Sequence, residues 1–190
     1  MLFRSRASLL SHEFVEENFS FFGRVLSGTK EIRPRWKRAL GLVQSAAGES
    51  VGRIWVAKHF PPSSKERMDE LVAGLLRAYE EAIRASEWMG EETRRRALDK
   101  LATFKPKIGY PPKWKDLAGL DVSEQRPLVA NVAAAIAFET MREWKKLGTA
   151  VDRDEWLMTP QTVNAYYNPA LNEIVFPAAI LQPPFFDPEG

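Results

Sequence analysis

The chain has 190 residues, 45% hydrophobic and 27% charged, an ordinary globular balance that suits one domain or two small ones. The formal net charge is only +2, and acids and bases are interleaved, which disfavours a nucleic-acid binder with a basic face. Cysteine is absent, which excludes disulfides, cysteine nucleophiles and thiolate zinc sites, and no apolar run approaches the roughly 20 residues that span a bilayer.

The opening, Met1 to Arg6, carries charge but no apolar stretch of signal-peptide length. Both ends are expected to be cut points, because Asp187–Gly190 follows a strongly apolar segment with no closing element. Ser11 is a plausible N-cap for a helix through Leu26, with Glu13, Glu16 and Glu17 in its early turns and Gly28 as its stop. Phe14, Phe21 and Val25 fall on one stripe and Val15, Phe19, Phe22 and Leu26 on the adjacent one, the wide apolar face of a buried helix.

Pro34 suits the first position of a long helix that carries Trp36, Leu40, Val43, Ala47, Val51, Ile54 and Trp55 and ends at Pro61-Pro62. Gly41, Gly48 and Gly52 weaken it, or else permit close contacts. Ser63 or Ser64 caps the next helix, where Met68, Leu71, Val72, Leu75, Leu76, Tyr79 and Ile83 keep helical spacing. A shorter helix from about Glu91 to Phe104 can bury Ala97, Leu98 and Leu101.

Lys105 to Pro112 reads as a Pro/Gly-rich connector at a domain boundary. An alanine-rich helix from about Ser123 to Leu147 carries Leu128, Val132, Ile136, Met141 and Trp144. Then the period changes. Val163, Ala165 and Tyr167 alternate with Thr162, Asn164 and Tyr166, as in a strand. Asn168–Asn172 has turn chemistry, and Glu173–Phe176 is a second strand, so the pair reads as a β-hairpin. Pro177 opens a short turn through Leu181. The expected fold is mainly α: a helical domain portion over residues 1–113, then, over 114–190, a long helix and a β-hairpin belonging to an incomplete α+β catalytic domain.

Motifs for chemistry are few. His12-Glu13-Phe14-Val15-Glu16 starts like H-E-x-x-H, which needs a second histidine four residues on to face one metal, and Glu16 stands there instead. His59, beside Phe60-Pro61-Pro62, reads as structural. No phosphate-binding glycine loop or G-x-S-x-G elbow is present. Arg94-Arg95-Arg96 and the acids Asp152, Asp154 and Glu155 read as solvated surface, and the six tryptophans mostly as core.

The stretch from Val163 to Phe186 is specific. It reads VNAYYNPALNEIVFPAAILQPPFF and resembles the neprilysin family pattern N-A-[YF]-Y followed by N-x-I-x-F-P-A-[AG]-I-L-Q-P-P-F-F. Arg35-Trp36-Lys37-Arg38, Trp88-Met89 with Thr93-Arg94, Ile108-Gly109-Tyr110-Pro111 and Asp152–Trp156 resemble the same family. Ala39 stands where animal members carry a disulfide cysteine, so the chain resembles a bacterial member.

The resemblance implies a piece of a zinc metalloendopeptidase that hydrolyses peptide bonds. By the same resemblance, the Asn164 side chain and the Ala165 backbone bond the main chain of a peptide substrate, Tyr166 sits near that cleft, and Ile180 and Phe185 line an apolar pocket for the residue after the cut bond. The family's H-E-x-x-H and later E-x-x-x-D ligands lie downstream of this motif. No catalytic or metal-binding residue is therefore expected within these residues, zinc is expected only in the complete enzyme, and the chain alone is expected to be inactive. The expected partners are a peptide, a complementing catalytic chain or a second copy, with no nucleic acid and no membrane. The family mostly works outside the cytoplasm, which favours secretion or the periplasm, while a cytoplasmic place stays open. The competing expectation is a non-enzymatic helical module that binds peptides or other partners.

Overall fold

The computed structural model describes residues 5–188; Met1–Arg4 and Glu189–Gly190, on which the readings of the two chain ends partly rest, lie outside them. The described residues form two compact units, one from residues 5–48 and 116–151, the other from 49–115 and 152–188. The architecture is mainly α with a small sheet, as expected.

In the first unit, a short 3-10 turn at Ala7–Leu9 precedes α1, His12–Asn18, which starts after Ser11 in an extended conformation. The helix then widens into a π-helix over Phe19–Leu26 and stops at Gly28, whose φ is +65°. The Thr29 N–H returns to the Gly23 carbonyl at 2.9 Å and closes the last turn. This differs from the expected buried helix. Val15 is buried, but Phe14, Phe21, Val25 and Leu26 are exposed. The winding changes to i→i+5 at Phe19, and much of the expected apolar face is left in solvent.

The long helix α2, Arg35–His59, is interrupted at Ala47 (φ −142°, ψ 30°), next to Gly48. It begins in one unit and ends in the other. The alanine-rich helix α5 spans Leu128–Trp144 and starts later than expected. Pro127 is its N-cap, and Ser123 is instead held in a turn by Asn131, which accepts from its N–H at 3.1 Å and donates to its carbonyl at 2.8 Å. Leu128, Ile136, Met141 and Trp144 of α5 are all exposed.

The second unit holds the sheet. Helix α3 runs Pro62–Ala85 with Pro61 as its N-cap, so neither serine caps it. A proline at the first helical position gives up an N–H that has no partner there anyway, and Ser64 is buried within the first turn. Met68 and Val72 face inward, while Leu71, Leu75 and Tyr79 face out. Helix α4, Glu91–Ala102, leaves Arg95 and Arg96 on its solvated face, paired with Glu92. Arg94 departs from that reading: it is half-buried and donates to the Ser86 and Met89 carbonyls at 2.7 and 3.0 Å.

The Pro/Gly-rich segment after α4 is not a connector but strand β1, Lys105–Gly109. It pairs in parallel with β3, Glu173–Pro177, which pairs antiparallel with β2, Tyr166–Asn168, in the order β1-β3-β2. Pro106 cannot donate to a ladder, but β1 is an edge strand, where that loss is tolerated. Ile108 and Phe176, partners in register, pack with Val56, Phe60, Met68, Val72, Ala178 and Leu181 to form the core between α2, α3 and the sheet. Each of these side chains larger than alanine contributes roughly 1.5–3 kcal/mol on full burial.

Two glycines make this packing possible. A Cβ on Gly52 would lie 2.8 Å from Cδ of Pro160 and 2.6 Å from Oε1 of Gln161. Gly109 has φ +81°, and a Cβ there would lie 2.7 Å from the Phe60 ring. The tryptophans divide: Trp55 and Trp114 pack on the core and Trp156 is half-buried, whereas Trp36, Trp88 and Trp144 are exposed, contrary to the core reading.

Candidate functional site

The hairpin carries the residues singled out in the sequence, and hydrogen bonding decides how much of it is strand. Pairing covers only Tyr166–Asn168 on this side, in register with Val175, Ile174 and Glu173. Val163–Ala165, expected as strand, make no ladder pairing: the chain bends at Val163, and the amides of Asn164 and Ala165 are satisfied locally. The Asn164 N–H donates to the Thr162 carbonyl at 3.0 Å, and the Ala165 N–H donates to the Asn164 side-chain oxygen at 2.8 Å. Short amide side chains compete with ladders in this way.

Asn164 is exposed and Ala165 half-buried, and both lead directly into an edge strand. Their approach is anchored at Pro160, a fully buried side chain whose carbonyl accepts from the Ala179 N–H at 2.9 Å. Ile180 is half-buried against the core, while Phe185 is 74% exposed and its neighbour Phe186 packs inward. The structure thus brings Asn164, Ala165 and Tyr166 together on one edge, with Ile180 in the turn after β3 and Phe185 standing out in solvent.

Tyr166 is held from outside the sheet. Its hydroxyl accepts from the Leu157 N–H at 3.0 Å. Burial of the ring pushes the phenol above its ordinary value; the hydrogen bond from Leu157 opposes this, and the charges of Glu173 and Glu155 add to it. Tyr167 on the opposite face stacks near Phe104, with ring centroids 6.4 Å apart, and donates to Asn172 at 3.1 Å.

Sequence reasoning missed a group of charges on the Tyr166 face. In the sheet register, Lys105, Lys107, Glu173, Val175, Tyr166 and Asn168 share that face. The Lys107 ammonium lies 2.7 Å from Glu173 Oε2, with side chains 5% and 1% exposed, an ion pair without aligned hydrogen-bond geometry. The same ammonium donates to the Glu155 carbonyl at 2.8 Å. Lys105 donates to the Arg153 carbonyl at 3.1 Å and to Asp154 at 2.6 Å, holding the Asp154 carboxyl below its ordinary range. Arg153 donates to the Leu171 carbonyl at 2.7 Å. Residues 153–157 are therefore a strap across this face, bound by both lysines of β1. The lysine spacing at 105 and 107 was the available signal, but it points to one strand face only once the segment is read as a strand.

Asn172 is the second missed residue. It has φ +50°, and its side chain donates to the Lys100 carbonyl at 2.7 Å and to Thr103 at 2.9 Å. It joins the end of α4 to the hairpin turn.

The two histidines stand apart. His12 is exposed at the first turn of α1, and His59 lies against Trp55 with centroids 5.1 Å apart. Among the described residues, no three His, Cys, Asp or Glu side chains are placed to hold a metal ion together. Among the described residues, no helix is long and apolar enough to cross a membrane.

Models of peptidase family M13 match residues 1–111 and 164–190. The neutral endopeptidase of Lactobacillus helveticus is 35% identical over 184 residues, which cover 96% of this chain and 28% of that protein. Mouse endothelin-converting enzyme 1 is 36% identical over 97% of this chain and 25% of its own length. The open-state structure of the Mycobacterium tuberculosis zinc metalloprotease Zmp1 superposes with a TM-score of 0.91 at 52% identity, covering 100% of this chain and 29% of that one. PepO from Lactobacillus rhamnosis gives a TM-score of 0.87 at 30% identity, covering 97% of this chain and 29% of that one. The chain spans little more than a quarter of the length of these relatives.

Proposed function

The chain belongs to peptidase family M13, and from that premise we propose that it supplies the substrate-binding edge of a zinc metalloendopeptidase whose metal site is supplied by residues beyond these 190. The observation that carries this reading is the placement of Asn164-Ala165 at the entrance to β2, an outer strand of the sheet. An extended peptide laid along such an edge binds through its main chain, so many sequences are accepted. The Asn164 oxygen and the Ala165 N–H now bond each other, and a peptide main chain can replace that contact with one bond to each. Tyr166, held by Leu157, fixes the depth at which the edge sits. Ile180, in the turn after β3, and the exposed Phe185 form the apolar side of the site.

In this reading the helices up to about residue 113 form part of a domain over the cleft, and residues 114–190 form part of the catalytic domain. Zinc, when bound in the complete enzyme, supplies the Lewis acid that activates water for hydrolysis. The many exposed apolar side chains, Phe21, Val25, Trp36, Leu128 and Trp144 among them, support docking against further polypeptide of the same enzyme rather than life as an isolated module.

The test measures zinc content and hydrolysis of a quenched fluorescent peptide with the 190-residue chain and with the full-length polypeptide that contains it. The expected result is no turnover by the chain alone, about one zinc per full-length molecule, and a raised KM with little change in kcat for Asn164→Ala. An unchanged KM in that variant refutes the edge reading.

A further inference from the structure

We propose that Lys107 and Glu173 are positioning residues for the substrate edge, acting through the 153–157 strap; this rests on the edge reading above. Burying both members of an ion pair is expensive, and a well-packed apolar pair is often as stable or more so. Charge at these two positions is therefore poorly explained by stability alone. What the charge does achieve is geometric. Glu173 holds the Lys107 ammonium, and that ammonium donates to the Glu155 carbonyl at 2.8 Å. Two residues on, the strap's Leu157 N–H is the hydrogen-bond donor to the Tyr166 hydroxyl. Glu173 also faces Asn168, the last residue of the edge strand, in register. The pair thus connects the buried start of β3 to the edge through three contacts, Glu173 to Lys107, Lys107 to Glu155 and Leu157 to Tyr166.

An apolar side chain at 107 can fill the same space but cannot hold the Glu155 carbonyl. Stability and edge geometry are therefore separable. Lys107→Met leaves the Glu173 charge buried without its partner and lowers the unfolding midpoint. The double variant Lys107→Met/Glu173→Met removes both charges and restores the midpoint to within a few degrees of wild type, yet the Glu155 carbonyl stays without its ammonium donor while Lys105 still holds Arg153 and Asp154.

The experiment is run on the full-length polypeptide with a blocked fluorogenic octapeptide as probe. In the double variant, KM is expected to rise about five- to tenfold with kcat within twofold of wild type. Backbone amides of 155–158 are expected to exchange faster, while those of β3 remain protected. A double variant with wild-type KM, or with wild-type protection of the strap, overturns the proposal and leaves the pair as a stability element only. Asn164→Ala is measured alongside: if it too leaves KM unchanged, the edge reading has failed, whereas a raised KM there with a wild-type double variant defeats only the positioning role.

Discussion

Gly109→Ala is the most exacting test of how the sheet is seated on the helices. Gly109 ends β1 with φ +81°, a region that costs an L-residue about 1–2 kcal/mol. Its added Cβ would lie 2.7 Å from Cε1 of Phe60, whose ring is 2% exposed in the middle of the core and has nowhere to retreat. Such overpacking costs about 1–3 kcal/mol, so the substitution is expected to destabilise by about 2–5 kcal/mol in all. With a urea slope of about 2 kcal/mol/M, the unfolding midpoint falls by about 1–2.5 M. The steric part belongs to one ring edge, and a double-mutant cycle isolates it. In a Phe60→Leu background, the cost of Gly109→Ala is expected to shrink to the backbone part alone. The Gly109 carbonyl also accepts from the Ala178 N–H at 2.8 Å, so the same variant disturbs the turn that bears Ile180. Equal costs of Gly109→Ala in both backgrounds refute the reasoning.

Gly52→Ala meets the Pro160 ring at 2.8 Å and is expected to lower the urea midpoint, whereas Gly41→Ala, with nothing within 4 Å, is expected to raise it slightly through helix propensity. Asn172→Gly keeps the left-handed turn but loses the bonds to Lys100, Thr103 and Tyr167, costing about 1–3 kcal/mol; Asn172→Ala should cost about 1 kcal/mol more, and the reverse order in chemical denaturation contradicts this account. Because the Tyr166 phenol is raised in the folded chain, the stability it adds is fully present below its unfolded value and is lost as pH rises through the folded one. Alkaline absorbance titration should show a late-ionising phenol that is missing in Tyr166→Phe.

Helix periodicity was legible wherever the chain winds as an ordinary α-helix. The winding of α3 and the stop at Gly28 could both be read directly, since 3.6-residue spacing and a left-handed glycine leave local marks, although Leu71, Leu75 and Tyr79 of the α3 stripe face solvent. The π-helical turn of Phe19–Leu26 left no such mark, because its residues keep helical composition while the winding changes. Strand β1 was hidden for a different reason. Pro106 and Gly109 are the residues that argue against a strand, yet parallel pairing with Glu173–Pro177 tolerates both at an edge. That pairing spans more than sixty residues of sequence, and no local pattern announces it. The serine caps of α3 failed because prolines took their place.

At the site, Tyr166 lies in β2 and Asn164 and Ala165 just before it, and the partners of Tyr166 could not be read from the motif. Leu157 reaches the phenol through its backbone, which no side-chain pattern encodes. The burial of Lys107 and Glu173 likewise follows from strand register rather than from composition.

The central claim, that the Asn164–Asn168 edge receives an extended peptide, is tested most directly by amide hydrogen exchange on the full-length polypeptide. The probe is a substrate-length peptide with a reduced, uncleavable central bond. New protection is expected at residues 164–168, with that gain lost when the peptide's own amides are N-methylated on the pairing side. Protection that falls on the outward face of α3 around Leu71, Leu75 and Tyr79, leaving 164–168 unchanged, contradicts it.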